Sequence, residues 1–132
     1  MKSRQLKEEP PDQSEFDGLV RSAERKLSDA QNAALNPESR FSLAYDAAHS
    51  LALAALRWHG FRAENRYIVF QLLGSTASFP PAKWRFLDTC HRKRNLALYD
   101  GDYAEDEQLI SELIKTAGEL QVAVKALGPV GP

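Results

Sequence analysis

Apolar residues return every three or four positions from Ser14 to Leu127, and no stretch alternates as a strand would. A chain with that period hides its apolar surface by laying helix against helix. The first stripe is Phe16, Val20, Ala23, Leu27, Ala30 and Ala34, with Ser14 as cap and Asp17 near the positive end of the helix. Asn36-Pro37 opens a second helix that runs to about His59, where Gly60 stops it. Its stretch SLALAAL is apolar almost all round, which places that helix in the middle of the domain. A third helix is expected over Asn65–Thr76, and a fourth from Pro81 to Tyr99 after the break at Ser78-Phe79-Pro80. The fifth opens on Glu105, Asp106 and Glu107 and carries Leu109, Leu113, Ala117, Leu120, Val124 and Leu127. The pattern predicts an all-α, five-helix, up-and-down bundle with the second and fourth helices inside.

The domain is expected to span residues 14–127. Met1–Gln13 mixes charges with a proline pair and one Leu, so it reads as a disordered tail; Gly128–Pro132 is expected to fray. Length suits one domain of 132 residues, and a net charge of −1 means that any basic surface must be local. The single cysteine, Cys90, rules out an intramolecular disulfide and a Cys-rich zinc site, and fits a reducing compartment. It reads as a small buried hydrophobe. The longest wholly apolar run, Leu51–Leu56, is too short to cross a bilayer, and the first residues hold no apolar signal core. A cytoplasmic protein with no membrane partner is the expectation.

Charge is clustered. Lys83–Arg94 holds five basic residues against Asp88, and Asp100–Glu112 holds six acids and no base. Arg57, His59, Arg62 and Arg66 form a second basic group. These clusters fit solvated helix faces as well as they fit a site. One arginine differs from the rest. Leu87, Cys90, Arg94 and Ala97 are spaced three, four and three, so Arg94 falls on the apolar stripe, where its charge needs partners. His91, Asn95 and Tyr99 lie around it along the same helix. On the second helix Tyr45 and His49 are one turn apart on one face. Packed together, the two helices would gather Tyr45, His49, Arg94, Asn95 and Tyr99, with His91 a further binding candidate beside Arg94. That set fits a binding site and a register-fixing core network equally, the latter with Asp46 or Asp88 neutralising Arg94. The three His lack metal-ligand spacing, and no glycine-rich phosphate loop is present, so no metal or cofactor is expected. Trp58 and Trp84, near helix ends, read as packing anchors.

Two segments carry a family resemblance. Cys90–Gly101, CHRKRNLALYDG, resembles the signature helix of the HEPN domains (higher eukaryotes and prokaryotes nucleotide-binding), and Tyr45–Ala63 resembles the long inner helix before it. The resemblance spans roughly Asp17 to Leu127. It implies a helical homodimer, with a bacterial source. The family motif is an Arg, a polar residue and a His four to six positions after the Arg. Active members use it to cleave RNA without metal, through the 2′-hydroxyl. Others are inactive binding partners, beside a small nucleotidyltransferase or in toxin–antitoxin pairs. Carried across, Arg94 matches the Arg and Asn95 the polar residue, and Tyr99 stands where the family has His. A tyrosine ionises near 10 and makes a poor general base, though it can hold an oxyanion. The resemblance therefore implies an RNA- or nucleotide-binding protein, with ribonuclease activity and a non-catalytic scaffold or partner role both open.

Overall fold

The computed structural model describes residues 6–63, 68–100 and 107–131, the stretch 95–100 by backbone alone. Long helices form near where the helical period predicts them. Asp12 caps α1 (Gln13–Ala30), its side chain accepting from the Ser14 amide. The cap thus sits two residues before the expected Ser14. The helix also stops before Ala34, because the Asn32 side chain accepts the Ala34 amide at 3.0 Å and turns the chain. Asn36 caps α2 (Pro37–Trp58) through the Ser39 amide at 2.8 Å, with Pro37 in the first turn. Gly60, at φ +87°, ends it with a left-handed residue.

The all-α bundle is borne out, with differences inside it. The expected third helix contracts to α3 (Leu73–Thr76), with residues 64–67 outside the described set. Val69, Phe70 and Leu73 are all buried, the first two from the turns that lead into α3. α4 (Pro81–Asp100) and α5 (Glu107–Lys125) follow.

α2 is central, as its apolar girth predicts, but its main neighbours are α1 and α5; α4 packs on it lightly among the described residues. The expectation of a central fourth helix is therefore corrected. α5 buries Ile110, Leu113, Thr116, Ala117, Leu120 and Val124, while Leu109 and Leu127 of the expected stripe are half-buried against the core. Among the described side chains α4 buries Leu87, Cys90 and His91. A stripe broken by polar groups covers less core than an unbroken one. Along α2, Ala44, Ala47, Ala48, Ala54 and Ala55 are fully buried, and these small side chains let its neighbours approach closely.

The sequence reading expects no strand, yet β1 (Leu6–Glu8) pairs antiparallel with β2 (Phe61–Ala63). Residues of the expected N-terminal tail are thus tied to the bundle, Glu9 adding its amide to the Gly60 carbonyl at 2.9 Å. The other end is tied as well. Trp58 Nε1 donates to the Gly128 carbonyl at 3.1 Å, and the Val130 amide donates to Gln13 Oε1 at 2.7 Å.

Candidate functional site

α2 presents Tyr45, Asp46 and His49; α4 presents His91 and Arg94; the turn before α3 brings Phe70. The Tyr45 hydroxyl and His91 Nδ1 share a hydrogen bond. The Tyr45 ring lies near parallel to those of His49, at 6.2 Å and 26°, and His91, at 5.9 Å and 29°. Phe70 meets Tyr45 and His49 edge-on, both at 5.9 Å, and His91 at 6.4 Å. Tyr45, His49 and His91 are 0%, 7% and 5% exposed, so this aromatic cluster lies beneath the surface.

Arg94 caps it. Its Cζ stands 4.9 Å from the centroid of the Tyr45 ring, a cation–π contact. Its Nη2 is 3.9 Å from Asp46 Oδ1, too long for a hydrogen bond, and its side chain keeps 23% exposure. Its Nε is buried and finds no hydrogen-bond partner among the described residues. The guanidinium is therefore held by a ring face and a distant carboxylate, with donors left over. Asp88, the other candidate neutraliser, instead pairs with Arg92 at 2.9 Å.

The structure thus brings Tyr45, His49, His91 and Arg94 together from two helices. The side chains of Asn95 and Tyr99 lie outside the described residues. Phe70 escapes a sequence reading because it sits in a stretch that reads as ordinary amphipathic helix.

The second basic group does not form an open patch. Arg57 is 3% exposed and pairs with Glu15 at 2.9 Å; Arg62 pairs with Glu9 at 2.6 Å and Glu15 at 2.9 Å. The hydrogen bond from Arg62 holds the Glu9 carboxyl below the usual carboxylate range. Burial works against ionisation of Glu15, but hydrogen bonds from Arg57 and Arg62 outweigh it and lower that carboxyl too. His59 Nε2 donates to the Thr76 carbonyl at 2.8 Å, and Arg66 lies outside the described residues. The spacing test that isolates Arg94 also marks Arg57, which follows Leu53 by four on the inner face of α2.

Cys90 is fully buried, and desolvation pushes its thiol up to about 12, so it packs as a hydrophobe. Among the described residues no group of three or more His, Cys, Asp or Glu could hold a metal, and no helix is long and apolar enough to cross a membrane. A groove of about 460 Å³ runs between α1 and the segment after α5, and Arg94 does not line it. No family model matches the chain, and neither does any curated protein or solved structure.

Proposed function

We propose that the chain is an HEPN-like homodimeric protein that binds a phosphate of RNA or of a nucleotide through Arg94. One observation carries this reading: the Arg94 guanidinium is positioned by the Tyr45 ring, partly open, and not neutralised by a hydrogen-bonded carboxylate among the described residues. A planar donor with unspent N–H groups suits a phosphate oxygen, and its loose partner Asp46 can be displaced without leaving a sealed charge. Tyr45, His49 and His91 support that reading from below; their burial makes them positioning residues for Arg94 rather than ligand contacts.

Burial of His91, with Nδ1 engaged by Tyr45, removes it as a ready base, and Tyr99 replaces the family His. Binding is favoured over RNA cleavage on those grounds. The sealed cluster also fits a second reading, a scaffold or partner subunit of a nucleotidyltransferase or antitoxin in which the ring stack fixes α4 against α2.

The test pairs a melting curve with titration of a labelled single-stranded RNA and of ATP at low and moderate salt. Arg94→Ala should keep its melting temperature within a few degrees and lose at least about tenfold in affinity, roughly 1.4 kcal/mol. Its apparent salt slope on RNA should fall by about one phosphate contact. Strong destabilisation of Arg94→Ala, with a wild type that binds neither RNA nor ATP, would leave the scaffold reading standing.

A further inference from the structure

The end of α2 remote from Arg94 holds a second arrangement that phosphate binding does not use. Arg57 spends its guanidinium on backbone: Nη1 donates to the Glu9 carbonyl at 3.0 Å and the Phe61 carbonyl at 3.3 Å, and Nη2 to the Pro10 carbonyl at 2.7 Å. Glu9 and Pro10 each precede a proline, and neither Pro10 nor Pro11 has an N–H with which to continue the ladder of β1 and β2. Arg57 supplies donors where the strand pairing runs out. Arg62 adds a bond to the Glu9 carboxylate, and Leu6 lines a pocket of about 120 Å³ with Leu56, His59, Phe61 and Leu72.

The parts divide into a fixed side and a movable side. Arg57 keeps Glu15 and the Phe61 carbonyl, and half-exposed Arg62 keeps Glu15, if residues 6–11 leave, so neither cation loses every partner, although the two then share one carboxylate. The departing segment takes with it one half-exposed carboxylate, a three-residue ladder, one partly buried Leu and the Glu9 and Pro10 carbonyls that accept from Arg57. Exposed pairs of that kind contribute little each and weaken in salt. A buried charge that kept no partner would forbid such a departure; here Glu15 removes the obstacle.

We propose that this end of the bundle is a docking site for an extended acidic peptide, closed in cis by the chain's own residues 6–11. The recognition chemistry is an apolar residue, a carboxylate three positions on, and two carbonyls freed by following prolines. The tethered segment competes at an effective concentration in the millimolar range, so an incoming peptide gains access when the tethered one is weakened.

The experiment uses the full chain and a fluorescein-labelled peptide of residues 6–12, read by anisotropy at low salt. The Leu6→Ser/Glu9→Ala variant should bind the peptide at least about tenfold more tightly than wild type does. A peptide carrying Glu9→Gln should bind that variant about tenfold more weakly. A variant with unchanged helical circular dichroism that binds no better than wild type, or binds both peptides equally, overturns the proposal. Hydrogen exchange on the wild type decides the matter should the variant not fold. The Glu9 amide, bonded to the Gly60 carbonyl, should exchange at least about a hundredfold faster than the Leu51 amide in the core. Equal protection of the two amides would mean that the segment opens only with the whole bundle, and would sink the idea.

Discussion

At Tyr45 a single side chain makes two contacts of the candidate site. Its face carries the Arg94 cation and its hydroxyl meets His91 Nδ1. The two can be separated by one substitution. Tyr45→Phe keeps the ring and deletes the hydroxyl, leaving a buried imidazole nitrogen without that partner, a loss of about 1–3 kcal/mol. Urea unfolding should show that destabilisation, while phosphate affinity at Arg94 should stay within about twofold because the cation–π face survives. A large loss of affinity together with unchanged stability would reverse the roles assigned to ring and hydroxyl. Arg57 and Arg94 make a pair of contrasting residues. Both interrupt an apolar stripe, but Arg57 has a carboxylate at 2.9 Å and three carbonyls, whereas Arg94 has a carboxylate at 3.9 Å and an aromatic face. The spacing of apolar residues announces that a charge is buried. Whether that charge is spent or available depends on Glu9, Glu15 and Asp46, whose approach no spacing reveals.

The elements show where local chemistry suffices. The Asn36 cap, the Pro37 first turn and the Gly60 stop are all local signals, and α2 begins and ends where they put it. Gly60→Ala tests the stop. The new Cβ would find ordinary space, 3.6 Å from Pro11 Cδ and 3.7 Å from the Glu9 carbonyl oxygen, so its cost is conformational. Holding an alanine at φ +87° should destabilise the protein by about 1–2 kcal/mol, seen as a lower urea midpoint with unchanged helicity. If stability does not change, the turn after α2 tolerates a different backbone and the reading of Gly60 as an obligatory stop fails. The three-residue strands are the opposite case. Leu6–Glu8 and Phe61–Ala63 are too short to display an alternation, and each is a strand only because the other lies beside it. The third helix shortens to Leu73–Thr76, with Val69 and Phe70 buried from the turns before it, an outcome that the apolar spacing does not display.

For the whole molecule the Glu9, Glu15, Arg57 and Arg62 network ties the N-terminal segment, α1, α2 and β2 into one unit. Both carboxyls titrate below the ordinary value of 4.5 in the folded protein. A depressed folded pKa contributes stability that is present above the unfolded pKa and is lost as pH falls through the folded value. Thermal stability should therefore hold steady from neutrality to about pH 5 and decline below about pH 4.5. Glu9→Gln should lower stability at pH 7 and flatten part of that acid limb, because it removes one of the two titrating groups. Melting curves between pH 3 and 7 on both proteins check this, and identical acid limbs would exclude Glu9 from the network's contribution.

The amino-acid sequence by itself determined the helical class, the boundaries of α2 and its place at the centre, because periodicity, caps and all-round apolarity are local properties that survive any arrangement of neighbours. It also put Arg94 on an apolar stripe and Tyr45 and His49 on one helix face, since such placements are visible from spacing alone, and offered His91 only as a neighbour of Arg94. Only the tertiary structure decided that α5 covers more of α2 than α4 does among the described residues, that Phe70 closes the ring cluster, and that Arg57 is consumed while Arg94 keeps donors without a described partner. Those outcomes depend on contacts between residues far apart in the chain: Arg57 with Glu15, Tyr45 with His91, Trp58 with Gly128. Such pairings carry no period and no local signature. They are settled by which faces find complementary shape and charge once the helices have formed, so they become legible only when the chain is folded.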